Sequence, residues 1–129
     1  MARFLVVEDD PPSRELLRLL LVSAGHRVQW ASDGMEGYLL ALTSSPDIVL
    51  CDLQMPVVDG YELLHRLRAD PLLREKIVIA VTAHSMPGDI ERLLTAGFDG
   101  YLTKPISPET FVSYVEELAV AAQRRANPR

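Results

Sequence analysis

Short apolar runs alternate with amphipathic stretches along the whole chain, and this alternation predicts five strand–helix units. The apolar runs predict strands at residues 3–8, 27–31, 48–52, 77–81 and 100–103. The stretches between and after them predict helices at residues 11–24, 33–43, 61–69 and 87–96 and from residue 108 onward. The third and fourth runs are almost entirely apolar, which is typical of strands covered by helices on both faces of a sheet.

Strands that are separated by helices pair in parallel, and the connections between them are right-handed. The predicted fold class is therefore α/β, with a doubly wound open parallel sheet and helices on both of its faces. One domain is expected over residues 1–123, followed by a frayed tail at residues 124–129. In such a sheet, functional groups collect outside the carboxyl ends of the strands.

The composition supports one globular domain and excludes several classes of protein. A length of 129 residues suffices for a hydrophobic core, and an apolar share of 48% argues against intrinsic disorder. The net charge of −5 disfavours nucleic acid and anionic membranes, which attract proteins with a positive field. The single cysteine, Cys51, rules out an internal disulfide and a multi-cysteine zinc site. No apolar run approaches the length of a membrane span or a signal-peptide core, so we expect a cytoplasmic protein.

Polar groups follow four of the five predicted strands. They are Glu8, Asp9 and Asp10 at the end of the first strand, Asp52 at the end of the third, Thr82 at the end of the fourth and Lys104 at the end of the fifth. If the strands are parallel, all of these groups face one crevice. The crevice would then combine several carboxylates with one hydroxyl and one ammonium.

Such a crevice suits phosphoryl transfer. Carboxylates a few ångströms apart repel each other, and a divalent cation relieves that repulsion. Oxygen ligands favour Mg²⁺, which takes one or two carboxylates and keeps several waters. The Lys104 ammonium and the Thr82 hydroxyl can bind phosphoryl oxygens, and an aspartate can act as the nucleophile that forms an aspartyl phosphate.

Four segments carry a resemblance to a known family. They are Val6–Asp10, Cys51–Gly60, Val81–Ala83 and Gly100–Pro105, and they occur in the family's order at compatible spacings. On these motifs the chain resembles the receiver domains of two-component response regulators, in particular single-domain regulators of the chemotaxis type. The resemblance spans essentially the whole chain, and it implies a flavodoxin-like (βα)5 fold with the strand order 2-1-3-4-5.

The resemblance assigns phosphorylation to Asp52 and metal binding to the residues around it. It implies that Asp52 accepts a phosphoryl group from a histidine kinase or a histidine phosphotransfer protein. Asp9 and Asp52 would bind Mg²⁺ directly, and Glu8 would bind it through a water molecule. The backbone carbonyl of Gln54 would be a further ligand, and Mn²⁺ is an expected substitute for Mg²⁺.

The resemblance also implies a conformational switch. Thr82, Lys104 and the backbone N–H of Ala83 match the groups that contact the phosphoryl oxygens. Tyr101 matches an aromatic residue that turns inward when Thr82 moves, so Thr82 and Tyr101 form the expected switch pair. The peptide bond between Lys104 and Pro105 is expected to be cis, which would place Lys104 at the site.

Phosphorylation is expected to change partner binding on the face formed by the fourth helix, the fifth strand and the fifth helix. The candidate contact residues on this face are Ile90, Leu93, Leu94 and Tyr114. At least half of the leucines are expected to pack in the core instead. The implied partners are the histidine kinase or phosphotransfer protein and a downstream protein target. A phosphorylation-dependent dimer is compatible with this interpretation, whereas direct binding to nucleic acid or to a membrane is not expected.

Two other interpretations stay open from the sequence. The chain could be the receiver portion of a longer regulator that has a separate output domain. It could also be a phosphohydrolase with an aspartate nucleophile, but such enzymes usually carry a second acid two residues later, where this chain has Gln54. We therefore expect a phosphoacceptor that assists only its own phosphorylation and slow dephosphorylation, rather than an enzyme.

Three residues near these motifs have simpler expected roles. Asp10 is expected to cap the first helix instead of binding metal. Cys51 is expected to be a buried apolar side chain, because neighbouring strand residues face opposite ways and Asp52 faces the site. His84 is expected to be a solvated loop residue.

Overall fold

The computed structural model describes residues 1–55 and 57–126 of the chain. Its strands are β1 (Arg3–Val7), β2 (Arg27–Ala31), β3 (Ile48–Asp52), β4 (Ile77–Thr82) and β5 (Gly100–Thr103). Its helices are α1 (Pro11–Ser23), α2 (Gly34–Ser44), α3 (Gly60–Ala69), α4 (Pro87–Ala96) and α5 (Pro108–Ala126). Strands and helices alternate strictly, as the hydrophobic pattern predicts.

The five strands form one parallel sheet in the order β2-β1-β3-β4-β5. This arrangement confirms the predicted fold class, the parallel pairing and the strand order. The chain direction across the sheet reverses at β1, so the carboxyl ends of β1 and β3 lie side by side. Because Val7 is in register with Cys51, the residues that follow β1 lie beside Asp52.

Apolar side chains cover both faces of the sheet. Leu5 and Val49 belong to a buried cluster that is completed by α2, α3 and α4. Their strand neighbours Phe4 and Leu50 point the other way, into a second cluster completed by α1 and α5. The buried side chain of Cys51 is part of the first cluster, as predicted.

Aspartates determine where three of the helices begin. Each carboxylate accepts a hydrogen bond from the backbone N–H three residues later, which has no partner inside its helix. The pairs, with N···O distances of 3.1, 2.8 and 2.9 Å, are Asp10–Ser13, Asp33–Glu36 and Asp59–Glu62. The predicted capping role of Asp10 is therefore confirmed.

The predicted frayed tail needs correction. Helix α5 continues to Ala126, so residues 124–126 are helical, and residues 127–129 lie outside the described residues. Arg125 stabilises the carboxyl end of α5, because its guanidinium donates to the carbonyl of Glu75 and to the carboxylate of Asp99, each at 2.9 Å. None of the helices in the described ranges is long and apolar enough to cross a membrane.

The predicted contact face also needs one correction. Leu93 has no exposed surface and packs in the core beneath α4, so it is unavailable to a partner in this state. Leu94, one position later, is 46% exposed. Ile90 and Tyr114 are partly buried at the edges of the two apolar clusters. One of the two leucines is thus a core residue, as expected.

Asp99, immediately before β5, joins several segments at the amino-terminal end of the sheet. Its carboxylate accepts hydrogen bonds from the N–H of Val78 at 2.8 Å and from Arg68 and Arg125 at 2.9 Å. Burial alone would raise the pKa of Asp99, but these hydrogen bonds outweigh burial and hold the pKa below its usual value. Arg68 also donates to the carbonyls of Arg74, Lys76 and Gly97.

Replacing Asp99 with asparagine is expected to lower the free energy of unfolding at neutral pH by about 1–3 kcal/mol, because Arg68 and Arg125 lose their charged acceptor. Since the folded pKa is lowered, the contribution of the carboxylate is present above the ordinary pKa of 3.8 and is lost as the pH falls through the folded value. Urea denaturation as a function of pH measures this difference. Asp33→Asn is the control, because asparagine also caps helices, and a pH-independent deficit in Asp99→Asn would contradict the prediction.

Candidate functional site

Three carboxylates meet where β1 and β3 end. Glu8 and Asp9 follow β1 and Asp52 ends β3, so the parallel register brings them to one edge of the sheet. One oxygen atom from each of the three lies within 4.8 Å of the others. Glu8 and Asp52 are only 1% and 7% exposed. Asp9 is exposed, so the cluster opens to solvent on its side.

Lys104 reaches this cluster from the end of β5. Its Nζ lies 2.8 Å from Glu8 Oε1 and 3.3 Å from Asp52 Oδ2. The backbone N–H of Lys104 donates to the carbonyl of Thr82 at 2.8 Å, which anchors it to the end of β4. The peptide bond between Lys104 and Pro105 is cis. The cluster thus combines groups from the carboxyl ends of β1, β3 and β5.

Burial and the neighbouring carboxylate both disfavour the charged form of Glu8. The pKa of Glu8 is raised to about 7, mainly because burial removes its carboxylate from water. The hydrogen bond to Asp52 and the charge of Asp52 act in the same direction, and Lys104 opposes them. A single ammonium does not balance three carboxylates, so a hard divalent cation with oxygen ligands fits this set of donors.

The loop after β3 holds the Asp52 carboxylate in place. The N–H of Gln54 donates to Asp52 Oδ1 at 3.1 Å, which turns the Gln54 backbone beside the carboxylate. Gly60 packs against the same residue, because a Cβ atom there would lie 2.6 Å from the Asp52 carbonyl oxygen. The N–H of Gly60 also donates to the carbonyl of Leu53 at 3.1 Å, which closes the loop. This position therefore requires glycine.

Thr82 ends β4 with a buried side chain. Its Oγ1 accepts a hydrogen bond from the N–H of His84 at 2.9 Å and donates to the His84 carbonyl at 3.3 Å. Ala83 is exposed and lines a groove of about 450 Å³ together with Glu8 and Lys104. Because its hydroxyl is bonded to the loop after β4, any movement of Thr82 would change the hydrogen bonds that hold that loop.

A side-chain pair that the sequence motifs do not reveal bridges the loops after β3 and β4. Gln54 Nε2 lies 2.7 Å from His84 Nε2, and the amide donates when that ring nitrogen carries no proton. Both side chains line a groove of about 390 Å³ with Thr82 and Asp59. His84 is exposed, as predicted, but it also has this partner. Neither residue type nor spacing signals the contact, since the two residues are far apart in the chain.

Arg14 is a second residue that the sequence motifs do not reveal. Its guanidinium donates to the Glu8 carbonyl at 3.2 Å and lies 4.1 Å from the centre of the Trp30 ring. Arg14 therefore links α1 to the acidic segment after β1 and to β2. The only signal in the sequence is its position in the first turns of α1, directly after the acidic segment.

Tyr101 does not join the cluster in this state. It lies on β5 and is 40% exposed. Tyr114 of α5 places its hydroxyl against the backbone at Gly100 and Tyr101. The structure thus brings Glu8, Asp9, Asp52 and Lys104 together, and it leaves the predicted switch tyrosine on the surface of the fifth strand.

Residues 4–116 match the family model of the response regulator receiver domain. The chain belongs to this receiver family of two-component response regulators. The match covers the acidic segment after β1, Asp52, Thr82 and Lys104, so all the residues that form the cluster lie inside the family region. The resemblance stated from the motifs is confirmed.

The chain is similar to relatives of about its own length and to a longer one. DivK, the polar-differentiation response regulator of Brucella anthropi, is 38% identical over 112 residues, which are 87% of this chain and 91% of DivK. An uncharacterised protein of Leptolyngbya boryana is 37% identical over 91% of this chain and 89% of its own length. RpaA of Synechocystis, a DNA-binding transcriptional regulator, is 37% identical over 92% of this chain, but the chain spans only 49% of RpaA.

Solved structures confirm the fold. The chemotaxis protein CheY4 of Vibrio cholerae superposes with a TM-score of 0.86 at 28% identity, over 92% of this chain and 98% of CheY4. The receiver domain of a Pseudomonas aeruginosa sensor histidine kinase is 34% identical with a TM-score of 0.78, over 95% of each chain. That structure has a magnesium ion coordinated in its active-site cleft.

The raised pKa of Glu8 predicts that the metal-free protein loses stability as the pH rises. Because the folded pKa of about 7 exceeds the ordinary value of 4.5, the folded state binds more protons than the unfolded state between these values. The free energy of unfolding should fall across that interval by on the order of 2 kcal/mol, and Glu8→Gln should remove most of this slope. Urea denaturation in the presence of a chelator measures both proteins.

Glu91→Gln is the matched control for this experiment, because Glu91 is an exposed acid of α4 and its replacement should leave the slope unchanged. If the free energy of unfolding of the wild type stays level or rises between pH 4.5 and about 7, the pKa of Glu8 is not raised.

Proposed function

We propose that this receiver domain is a phosphorylation switch in which Asp52 accepts a phosphoryl group from a histidine kinase or a histidine phosphotransfer protein. The observation that carries the proposal is the cluster itself. Buried Asp52 has the oxygens of Glu8 and Asp9 within 4.8 Å and the ammonium of Lys104 at 3.3 Å. Membership of the receiver family supports the same assignment.

The geometry supports a direct transfer to an oxygen of Asp52. One oxygen is held by the N–H of Gln54 and the other faces Lys104, so the carboxylate is oriented before a donor arrives. In the transfer, an Asp52 oxygen bonds to phosphorus while the bond from phosphorus to the donor histidine nitrogen breaks, and its electron pair stays on that nitrogen. Lys104, Thr82 and the N–H of Ala83 then bind the phosphoryl oxygens.

The donor set supports Mg²⁺ as the cofactor, with Mn²⁺ as a substitute. Asp9, Asp52 and the backbone carbonyl of Gln54 would hold the ion, and Glu8 would act through a water molecule. Glu8 Oε1 is buried without a hydrogen bond in the described structure, although the ammonium of Lys104 lies 2.8 Å away, so it has a lone pair to offer to such a water. When bound, the cation neutralises charge on the carboxylates and on the phosphoryl oxygens.

Phosphorylation would act on the rest of the molecule through Thr82. The new phosphoryl oxygens attract its hydroxyl, which breaks its two hydrogen bonds to His84 and moves the loop after β4. Tyr101 then turns into the space that Thr82 leaves. The result is a shift of population between two packed states. A partner distinguishes the two states by binding to the face formed by α4, β5 and α5.

The partners follow from this switch. The kinase or phosphotransfer protein supplies the phosphoryl group, and a downstream protein or a second copy binds the α4-β5-α5 face. Leu94, Ile90 and Tyr114 are the contact residues that remain after Leu93 is assigned to the core. We place the protein in the cytoplasm, where histidine kinases deliver their phosphoryl groups, and we assign it no turnover of external substrates.

Asp52→Asn is expected to abolish phosphorylation, because the amide cannot act as the nucleophile. Incubation with acetyl phosphate and Mg²⁺, followed by intact-mass spectrometry, should show one added phosphoryl group in the wild type and none in the variant. Beryllofluoride with Mg²⁺ should likewise shift the amide resonances of the wild type alone.

Asp59→Asn is the control, because Asp59 lies on the same loop and asparagine retains its capping role at α3. Modification of Asp52→Asn to the same extent as Asp59→Asn would contradict the assignment of Asp52. Multiple turnover of diverse phosphate esters by the wild type would instead favour the phosphohydrolase.

Thr82→Ala is expected to separate phosphorylation from switching. The variant retains Asp52 and should still accept one phosphoryl group, but it lacks the hydroxyl that links the site to the loop after β4. Beryllofluoride should therefore shift amide resonances around Asp52 and leave those of Tyr101 unchanged. Thr103→Ala, on the exposed side of β5, is the control and should show the full set of shifts. A normal response of Tyr101 in Thr82→Ala would overturn this role.

A further inference from the structure

Strand β2 is one edge of the sheet, and it leaves backbone groups unpaired. Arg27 and Ala31 make backbone hydrogen bonds of 3.0 Å to the segments that flank β1. Because successive residues of a strand alternate in direction, Val28 and Trp30 turn their N–H and C=O groups away from β1. Within residues 1–55 and 57–126, these outward groups meet no hydrogen-bonding partner. Such an edge can accept a further strand.

At the opposite edge of the sheet, a side chain lies against the backbone of β5. There, Tyr114 places its hydroxyl against the backbone at Gly100, and the absence of a side chain at Gly100 makes room for it. In β2, by contrast, every residue except Ala31 is at least partly exposed. Trp30 is 46% exposed although it is a large aromatic residue. Among the described residues, the guanidinium of Arg14 lies over the Trp30 ring in a cation–π contact.

A groove of about 510 Å³ lies beside the amino-terminal half of β2, and its lining includes both apolar and charged residues. Phe4, Val22 and Val28 supply apolar surface. Arg3 and Arg27 also line it, and they lie in direct register on neighbouring strands. Like charges in register repel each other. In the described part of the chain, neither guanidinium forms an ion pair. The carboxylate of Asp47 accepts from the backbone N–H of Arg3 at 2.9 Å, but it pairs with neither guanidinium, so both cations can still bind an added anion.

We propose that the β2 edge binds an extended segment of another protein, which adds to the sheet as a sixth strand and carries alternating acidic and apolar residues. The unpaired groups of Val28 and Trp30 supply the backbone hydrogen bonds. Acidic side chains on one face of the added strand pair with Arg3 and Arg27, and apolar side chains on the other face fill the groove beside Val28. The alternation follows from the geometry of a strand, whose successive side chains face opposite ways.

Charge favours a foreign partner over a second copy of this chain. The segment Arg27–Ala31 contains no acidic residue, so a second β2 strand would offer no anion of its own to Arg3 and Arg27. An acidic segment removes the repulsion between Arg3 and Arg27 and gains an ion pair with each. The proposed site is independent of Asp52, which lies in the interior of the sheet, at the end of β3.

The test uses two capped pentapeptides, Glu-Val-Glu-Val-Glu and its matched cation Lys-Val-Lys-Val-Lys, added to the full chain. Binding is followed by the fluorescence of Trp30, the single tryptophan of the chain, and by amide resonances of β2. We expect the Glu peptide to shift the amides of Val28 and Trp30 and to bind at least ~10-fold more tightly than the Lys peptide. Added salt should weaken this binding, and Asp52→Asn should leave it unchanged.

Two sets of variants test separately the contributions of backbone hydrogen bonds and of ion pairs to peptide binding. Val28→Pro removes an outward N–H that takes no part in the ladder with β1, so it should keep the sheet and lose the Glu peptide. The double variant Arg3→Gln/Arg27→Gln should weaken binding by ~10-fold. Arg124→Gln is its control, because Arg124 is an exposed arginine near the carboxyl end of α5 and does not line the groove.

Three results would overturn the proposal. One is the absence of β2 shifts at millimolar Glu peptide. A second is equal affinity for the Glu and Lys peptides, which would show that the bound segment need not be acidic. The third is self-association of the peptide-free protein with broadening confined to β2, which would make a second copy the occupant of this edge.

Discussion

The chemistry of this molecule depends on keeping like charges together against their repulsion. Glu8, Asp9 and Asp52 would separate if they lay on flexible segments, but each follows or ends a strand whose position is set by a buried sheet. The apolar clusters on both faces of the sheet supply the stability that offsets this repulsion. The unfavourable proximity is also what makes the site receptive to cations, since any added positive charge relieves it.

Lys104 has two roles at this site, one toward the carboxylates and one toward the phosphoryl group. Its ammonium lies close to both Glu8 and Asp52, and burial, which lowers its pKa, is outweighed by these two carboxylates, so the pKa is raised. The same ammonium is positioned to meet phosphoryl oxygens when they arrive. One side chain can therefore stabilise the resting cluster and then change partners, which is what a switch between two packed states requires.

Most of the fold could be predicted from the sequence because its determinants are local. The apolar runs and the amphipathic stretches between them act within a few residues, and they located every strand and helix. Asp52, Thr82 and Lys104 could be placed at one edge since parallel strands align their carboxyl ends. Contacts between distant side chains carry no such signal. The pairing of Gln54 with His84, and the reach of Arg14 to Glu8 and Trp30, depend on loop paths that only the folded chain defines.

The carboxylate of Asp99 has a wider consequence for how the molecule divides its tasks. It binds both Arg68 and Arg125 at the amino-terminal end of the sheet, a full strand length from the acidic cluster. The Asp99 group thus stabilises this pole of the domain, whereas the acidic cluster at the other pole is destabilised by repulsion and is the reactive part of the molecule. Because a rigid sheet separates the two poles, thermal robustness and signalling chemistry can be tuned by evolution, or by a protein engineer, almost independently of each other.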